Sequence, residues 1–276
     1  MKVAVSGKGG VGKTLVAASL AWSFARKGIR TIAIDADSSP NLCLTLGLTP
    51  EEAEGITPIS EREELIESKT RTDYPGVFRI TFSVDDIVRA YAVQTPLGVH
   101  LIVMGTVRSA GGGCACPANT VVRNLIRHLV VERDEAVVLD LEAGVEHLGR
   151  GTVEHMDVML LVTDANAKSL ATAQRIHVLA REAGIPDLFI VGNRVNGPVE
   201  EDLIRAFAGS HGMKVLDMIP YDPGIPASEM QGISPLLQPG TPAIRHLAAL
   251  AESLLFTGGR GKEIEGTRAR GRKRSV

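Results

Sequence analysis

The sequence is poor in cysteine: its 276 residues contain three, two of them separated by a single residue. Such a set cannot build a disulfide framework, which excludes the small stapled secreted folds and points to a reducing cytoplasm. A secretory leader is not expected either, because Met1 runs straight into the strand-like Val3-Ala4-Val5. No apolar run approaches the ~18–20 residues needed to cross a bilayer, so a membrane role is not expected. Repeats, low-complexity tracts and collagen-like periodicity are absent as well. What is present is a hydrophobic fraction of 44%, ample for a sizeable core, in a length that suits one large α/β domain or two small ones.

Charge is unevenly placed along the chain. Seven basic and two acidic residues fall between Gly258 and Val276, so that stretch carries +5 in a chain of net charge −2. Residues 1–257 are left with −7, which argues against nucleic acid as a partner. The basic stretch has only Ile264 and Val276 as sizeable aliphatics and so lacks the apolar face of a membrane-surface helix. It reads as a solvated, disordered tail, with an electrostatic tether as the alternative. The expected organisation is one domain over residues 1–257 and a tail over 258–276.

Strand and helix signals alternate along that domain. Apolar strands are expected at 3–5, 31–34, 100–104, 136–139, 158–163, 188–191 and 215–219, and helices at 14–27, 117–132, 167–183, 198–210 and 242–256. Strands that are apolar throughout, rather than alternating, imply burial on both faces. The expected fold is therefore α/β, a doubly wound, mostly parallel sheet flanked by helices. Residues 49–97, with the charged run Ser60-Glu61-Arg62-Glu63-Glu64-Leu65, interrupt the rhythm and read as a surface insertion near the active edge.

The strongest motif is Gly7-Lys8-Gly9-Gly10-Val11-Gly12-Lys13-Thr14, which fits G-x-x-x-x-G-K-[ST] between a strand and a helix. Backbone N–H groups of Gly9, Gly10, Val11 and Gly12 can turn inward around phosphate only where the chain is rich in glycine. The helix that follows adds the positive end of its dipole. Lys13 is placed to reach the β- and γ-phosphates of ATP, and the Thr14 hydroxyl to bind Mg²⁺. Two acidic segments follow. Asp35-Ala36-Asp37 leaves the second strand at the carboxyl edge, where open parallel sheets bind ligands. Val137-Val138-Leu139-Asp140 is an apolar strand ending in an acid, the Walker B pattern, and Asp140 is expected to hold a Mg²⁺-bound water.

Lys8, directly after Gly7, makes the loop Lys-Gly-Gly-x-Gly-Lys-Thr. With it the chain resembles the deviant P-loop ATPases of the nitrogenase-iron-protein, septum-site and partition group. The resemblance implies that Lys8 reaches across a two-fold interface to the partner's nucleotide, so that ATP draws a homodimer together. It implies that Asp37 orients the attacking water, that Asp35 joins the Mg²⁺ shell and that Gly144 offers its N–H to the γ-phosphate. By the same resemblance Asn193 contacts adenine, although an Asn leaving a strand can instead form an Asx-turn. Pro220 and Tyr221 belong to a segment that matches the loop closing over the base.

The segment Gly111-Gly112-Gly113-Cys114-Ala115-Cys116-Pro117 places two thiols before a helix, where thiolates are favoured. Two thiolates cannot fill a tetrahedral site, but a dimer axis through the loop supplies four. Zn²⁺ fits that set, and square-planar Ni²⁺ fits it too. A Cys114–Cys116 disulfide would be strained, and a shared [4Fe–4S] cluster is chemically open. Cys43 in Leu42-Cys43-Leu44 reads as a core residue.

From Met104-Gly105-Thr106-Val107, through Gly113-Cys114-Ala115-Cys116-Pro117, to the run Asp140–Gly151, the chain is similar to the accessory ATPase that matures carbon monoxide dehydrogenase by supplying nickel. That resemblance covers Met1 to about residue 256. It implies an ATP-hydrolysing dimeric metallochaperone, with Cys114 and Cys116 binding metal between subunits and the apo-dehydrogenase as client. Glu146 and His147 are read as client-facing or structural rather than as ligands. The alternatives are a septum-site or partition-type positioning ATPase and an iron–sulfur reductase or cluster carrier.

Overall fold

The computed structural model describes residues 1–37, 39–74, 77, 79, 85–105, 121, 124, 125, 127, 135–142, 156–238 and 240–255. Cys114, Cys116, Gly144, Glu146, His147 and the basic tail lie outside them, as does most of the helix expected at 117–132.

Among the described residues eight strands form one sheet: β1 (Lys2–Gly7), β2 (Thr31–Ala36), β3 (Val93–Gln94), β4 (His100–Val103), β5 (Ala136–Leu141), β6 (Val158–Thr163), β7 (Asp187–Val195) and β8 (Lys214–Pro220). The spatial order is β3-β4-β2-β5-β1-β6-β7-β8. Every pairing is parallel except β3 with β4. The helices are α1 (Lys13–Arg26), α2 (Leu42–Thr45), α3 (Pro50–Glu54), α4 (Glu63–Thr70), α5 (Asp85–Tyr91), α6 (Ala167–Glu182), α7 (Pro198–Ser210), α8 (Gly224–Met230) and α9 (242–255).

The expected doubly wound sheet is present. β5 and β6 are buried at every position, as continuous apolar strands covered on both faces must be. Alternate residues of each strand feed two separate cores. One face holds Ile32, Ile34, Val137 and Leu139 with residues of α6 and α7; the other holds Val3, Val5, Ala33 and Val138 with α1 and α9. β1 lies at the centre, and the winding reverses beside it, so the crevice at its carboxyl end is where such a sheet binds ligands.

Two features depart from expectation. β3 is a two-residue antiparallel edge strand, too short to carry a periodic signal; its partner register is Val93 with Leu101. The 49–97 insertion is not confined to the surface. Ile59, Leu65, Ile87 and Val88 are buried in the same core as β2 and β4, so the segment completes one face of the sheet.

Candidate nucleotide site

β1 ends at Gly7, and a Cβ there would strike the carbonyl oxygen of Val162 on β6. The chain then rises over the sheet edge and enters α1 through Gly12, which is left-handed at φ 90°. Among the described residues no side chain caps this helix. Its first N–H groups therefore have no partner within the helix and, with the dipole, face the loop as an anion site. Lys13 is buried, and its Nζ rests 3.5 Å from the Lys8 carbonyl oxygen. Lys8 itself sits half-buried on the rim beside the exposed Gly9 and Gly10.

The carboxylates converge from two neighbouring strands. Asp35 and Asp140 are register partners on β2 and β5, both buried, on the sheet face that carries α1. They differ in their partners. Asp35 accepts from the Leu42 N–H at 2.9 Å and the Asp37 N–H at 3.2 Å, so it ties down the loop that follows β2. Burial raises its pKa to about 6 against those two bonds. Neither oxygen of Asp140 has a completed hydrogen bond among the described residues. Burial, and then the charge of Asp35, lift Asp140 to about 7; the nearby Thr14 hydroxyl and Lys13 ammonium pull it back. The Thr14 hydroxyl favours the ionised carboxylate without making a full hydrogen bond to it. Asp37 is half-buried, and its Oδ1 accepts from the Ser39 N–H at 2.9 Å.

An enclosed carboxylate with unused lone pairs beside a lysine and a threonine suits a hydrated Mg²⁺. Among the described residues no three His, Cys, Asp or Glu side chains converge on a metal site of their own. The donor set therefore fits an ion that takes Thr14, phosphate oxygens and water.

Beside this lies a cleft of about 360 Å³ lined by Gly12, Thr14, Asn193, Pro220 and Tyr221. Phosphate-loop and base-loop residues expected from sequence thus share one wall. Asn193 is buried and forms no Asx-turn; its Nδ2 donates to the Val11 carbonyl oxygen at 2.7 Å, 182 residues away. Tyr221 is half exposed over the cleft, and its N–H donates to the Val195 carbonyl oxygen at 3.0 Å. Sequence reasoning missed Asn41, Arg194 and Glu229 in the lining. Asn41 lies in a loop, Glu229 in a short helix and Arg194 near the end of β7, and no motif marks any of them. Asp222, next to Tyr221, holds the loop after β8 by accepting from the Gly224 N–H at 3.0 Å and the Ala243 N–H at 3.3 Å. Cys43 is buried, as expected of a core residue.

A buried lysine and a hydroxyl at an uncapped helix end, with an orphaned carboxylate on the adjacent strand, form a cradle for a magnesium triphosphate; the fold and site define the class of P-loop nucleoside triphosphatases. A profile of the CobQ/CobB/MinD/ParA nucleotide binding domain matches residues 2–236. The chain belongs to that family and is an ATP-binding ATPase of the MinD/ParA type.

It is 40% identical over 235 residues to an uncharacterised ATP-binding protein of Methanocaldococcus jannaschii, covering 84% of this chain and 90% of that one. It is 39% identical over 236 residues to the carbon monoxide dehydrogenase accessory protein CooC of Rhodospirillum rubrum, covering 85% and 89%. Among solved structures, a ParA family ATPase from Chlorobium tepidum superposes with a TM-score of 0.66 at 20% identity, covering 91% of this chain and 96% of that one. MinD of Pyrococcus horikoshii complexed with Mg-ADP gives 0.60 at 19%, covering 92% and 95%. Among the described residues no helix is long and apolar enough to cross a membrane.

Proposed function

We propose that this protein is an ATP-driven accessory factor that hands nickel to an apo carbon monoxide dehydrogenase, working in the cytoplasm as a homodimer. One observation carries the reading: 39% identity to CooC along 89% of that protein, in a chain that also has Cys114-Ala115-Cys116. The metal, Ni²⁺ or Zn²⁺, is the cargo and is bound by Cys114 and Cys116 from each of two subunits. Four thiolates satisfy a soft or borderline ion where one pair cannot. A body charge of −7 and a tail without an apolar face support this over a DNA- or membrane-positioning role.

In the ATP cycle the backbone of Gly9 to Gly12 and the α1 N-terminus hold the phosphates, and Lys13 pairs with the β- and γ-oxygens. Thr14 and Asp140, with Asp35 behind them, would hold Mg²⁺, which when bound offsets charge on the phosphate oxygens. Asp37 orients the attacking water, and Lys8 extends from its rim to the partner's nucleotide. Asn193, Pro220 and Tyr221 receive the adenine; one Asn193 amide hydrogen is committed to Val11, which leaves its second N–H and its Oδ1 for the base. Residues 1–257 form the ATPase domain. Because the two-subunit arrangement takes ATP and metal together, each ligand favours binding of the other.

Anaerobic titration of the purified protein with Ni²⁺ and Zn²⁺ tests the cargo reading. The expected stoichiometry is one tightly held ion per two chains, lost in the Cys114→Ser/Cys116→Ser variant. Unchanged binding in that variant would remove the chaperone role.

A further inference from the structure

Arg194 is the only non-glycine residue among those described with a positive φ, 58°. A left-handed arginine costs on the order of 1 kcal/mol, and such strain persists only where the surroundings impose it. It sits where β7 slips register against β8, between Gly192 and Val195. The slip re-aims consecutive side chains, as bulges do. Asn193 and Arg194 both turn onto the phosphate loop. Asn193 Nδ2 donates to the Val11 carbonyl oxygen at 2.7 Å, and an Arg194 terminal nitrogen donates to the Gly10 carbonyl oxygen at 2.9 Å. The next residue, Val195, accepts from the Tyr221 N–H. Three consecutive residues of β7 thus touch the phosphate loop on one side and the base loop on the other.

The trans peptide gives these two bonds a consequence. Carbonyl and following N–H point in opposite directions, so holding the Gly10 and Val11 oxygens from outside aims the Val11 and Gly12 N–H groups away from β7, into the loop, where the Val11 N–H makes a long 3.4 Å bond to the Lys8 carbonyl oxygen. Those N–H groups belong to the turn that must receive phosphate. Resting on the ATP-site reading above, we infer that Arg194 is a positioning residue: its guanidinium latches the phosphate loop through the Gly10 carbonyl and orients the loop before nucleotide arrives. A pre-formed loop spares the ligand the cost of ordering it. The latch therefore governs affinity for phosphorylated nucleotide, while bound phosphates themselves order the loop at saturation.

The experiment compares Arg194→Ala, Arg194→Lys and Arg194→Gly in steady-state ATP hydrolysis, in binding of ADP and adenosine, and in urea unfolding, with Lys13→Ala as the control. The bond is solvent-exposed, so Arg194→Ala should raise KM and weaken ADP by about fivefold, leaving kcat within about twofold. Adenosine binding should hold, because it does not engage the loop. Arg194→Lys, which keeps a donor and charge, should recover part of the affinity. Arg194→Gly should unfold at higher urea than Arg194→Ala, having lost the strain, yet bind ADP no better. Unchanged KM and ADP affinity in Arg194→Ala would overturn the latch, as would equal weakening of adenosine and ADP or full affinity in Arg194→Gly. Turnover surviving Lys13→Ala would instead remove the ATP-site reading on which the latch depends.

Discussion

Asp35 and Asp140 sit side by side on adjacent strands with different duties. Asp35 spends its oxygens on the backbone of the loop after β2, whereas Asp140 is buried with no completed bond among the described residues. Their raised pKa values, about 6 and about 7, set the sign of a pH effect. In the native state each keeps a proton that the unfolded chain has released, so the nucleotide-free protein loses stability as pH rises through the interval between the two states. From about pH 4 upward the effect of these groups is a decline that levels off just above pH 7. Asp140→Asn keeps the shape without the titration, so its urea midpoint should fall less than wild type between about pH 5 and about pH 7.5. Parallel pH profiles for the two proteins would contradict this account of Asp140.

At the scale of elements, the phosphate loop is held from outside by β7. Gly12 shows how tightly: its φ is 90°, and a Cβ there would collide with the Asn193 amide. Gly10 is also left-handed, at φ 82°, but has open space around it. Gly12→Ala should therefore cost about 2–4 kcal/mol in urea unfolding, from strain plus displacement of Asn193, and Gly10→Ala only about 1 kcal/mol. Equal losses would mean that Asn193 does not brace the loop. The same elements explain what the sequence could reveal. Continuous apolar strands such as Val137-Val138-Leu139 declared the parallel sheet, and the glycine spacing with Lys13-Thr14 declared the loop at its centre. Asp35, Asn193 and Tyr221 were legible as residues leaving strands at the carboxyl edge. Their partners were not, because the Asn193–Val11 bond spans 182 residues and depends on a register slip that leaves no local pattern. The insertion misled for a related reason. Its charged run Glu61-Arg62-Glu63-Glu64 dominates the reading, while the residues it buries, Ile59, Leu65 and Ile87, are widely spaced.

At the scale of the whole molecule, one chain carries a nucleotide cleft but only two thiols in Cys114-Ala115-Cys116, and Lys8 sits half-buried on the rim of the phosphate loop. Both oddities resolve if two chains meet with their sheet edges facing. Association of two acidic bodies would then depend on what lies between them: a metal ion bridging thiolates of both chains, and each Lys8 paired with the partner's anionic phosphates. The measurement that tests this most directly is the mass and metal content of one sample, by light scattering and elemental analysis, with and without a non-hydrolysable ATP analogue and Mg²⁺. The account predicts a particle of two chains carrying one Ni²⁺ or Zn²⁺ when nucleotide is bound. A monomer at saturating nucleotide, magnesium and metal would contradict it.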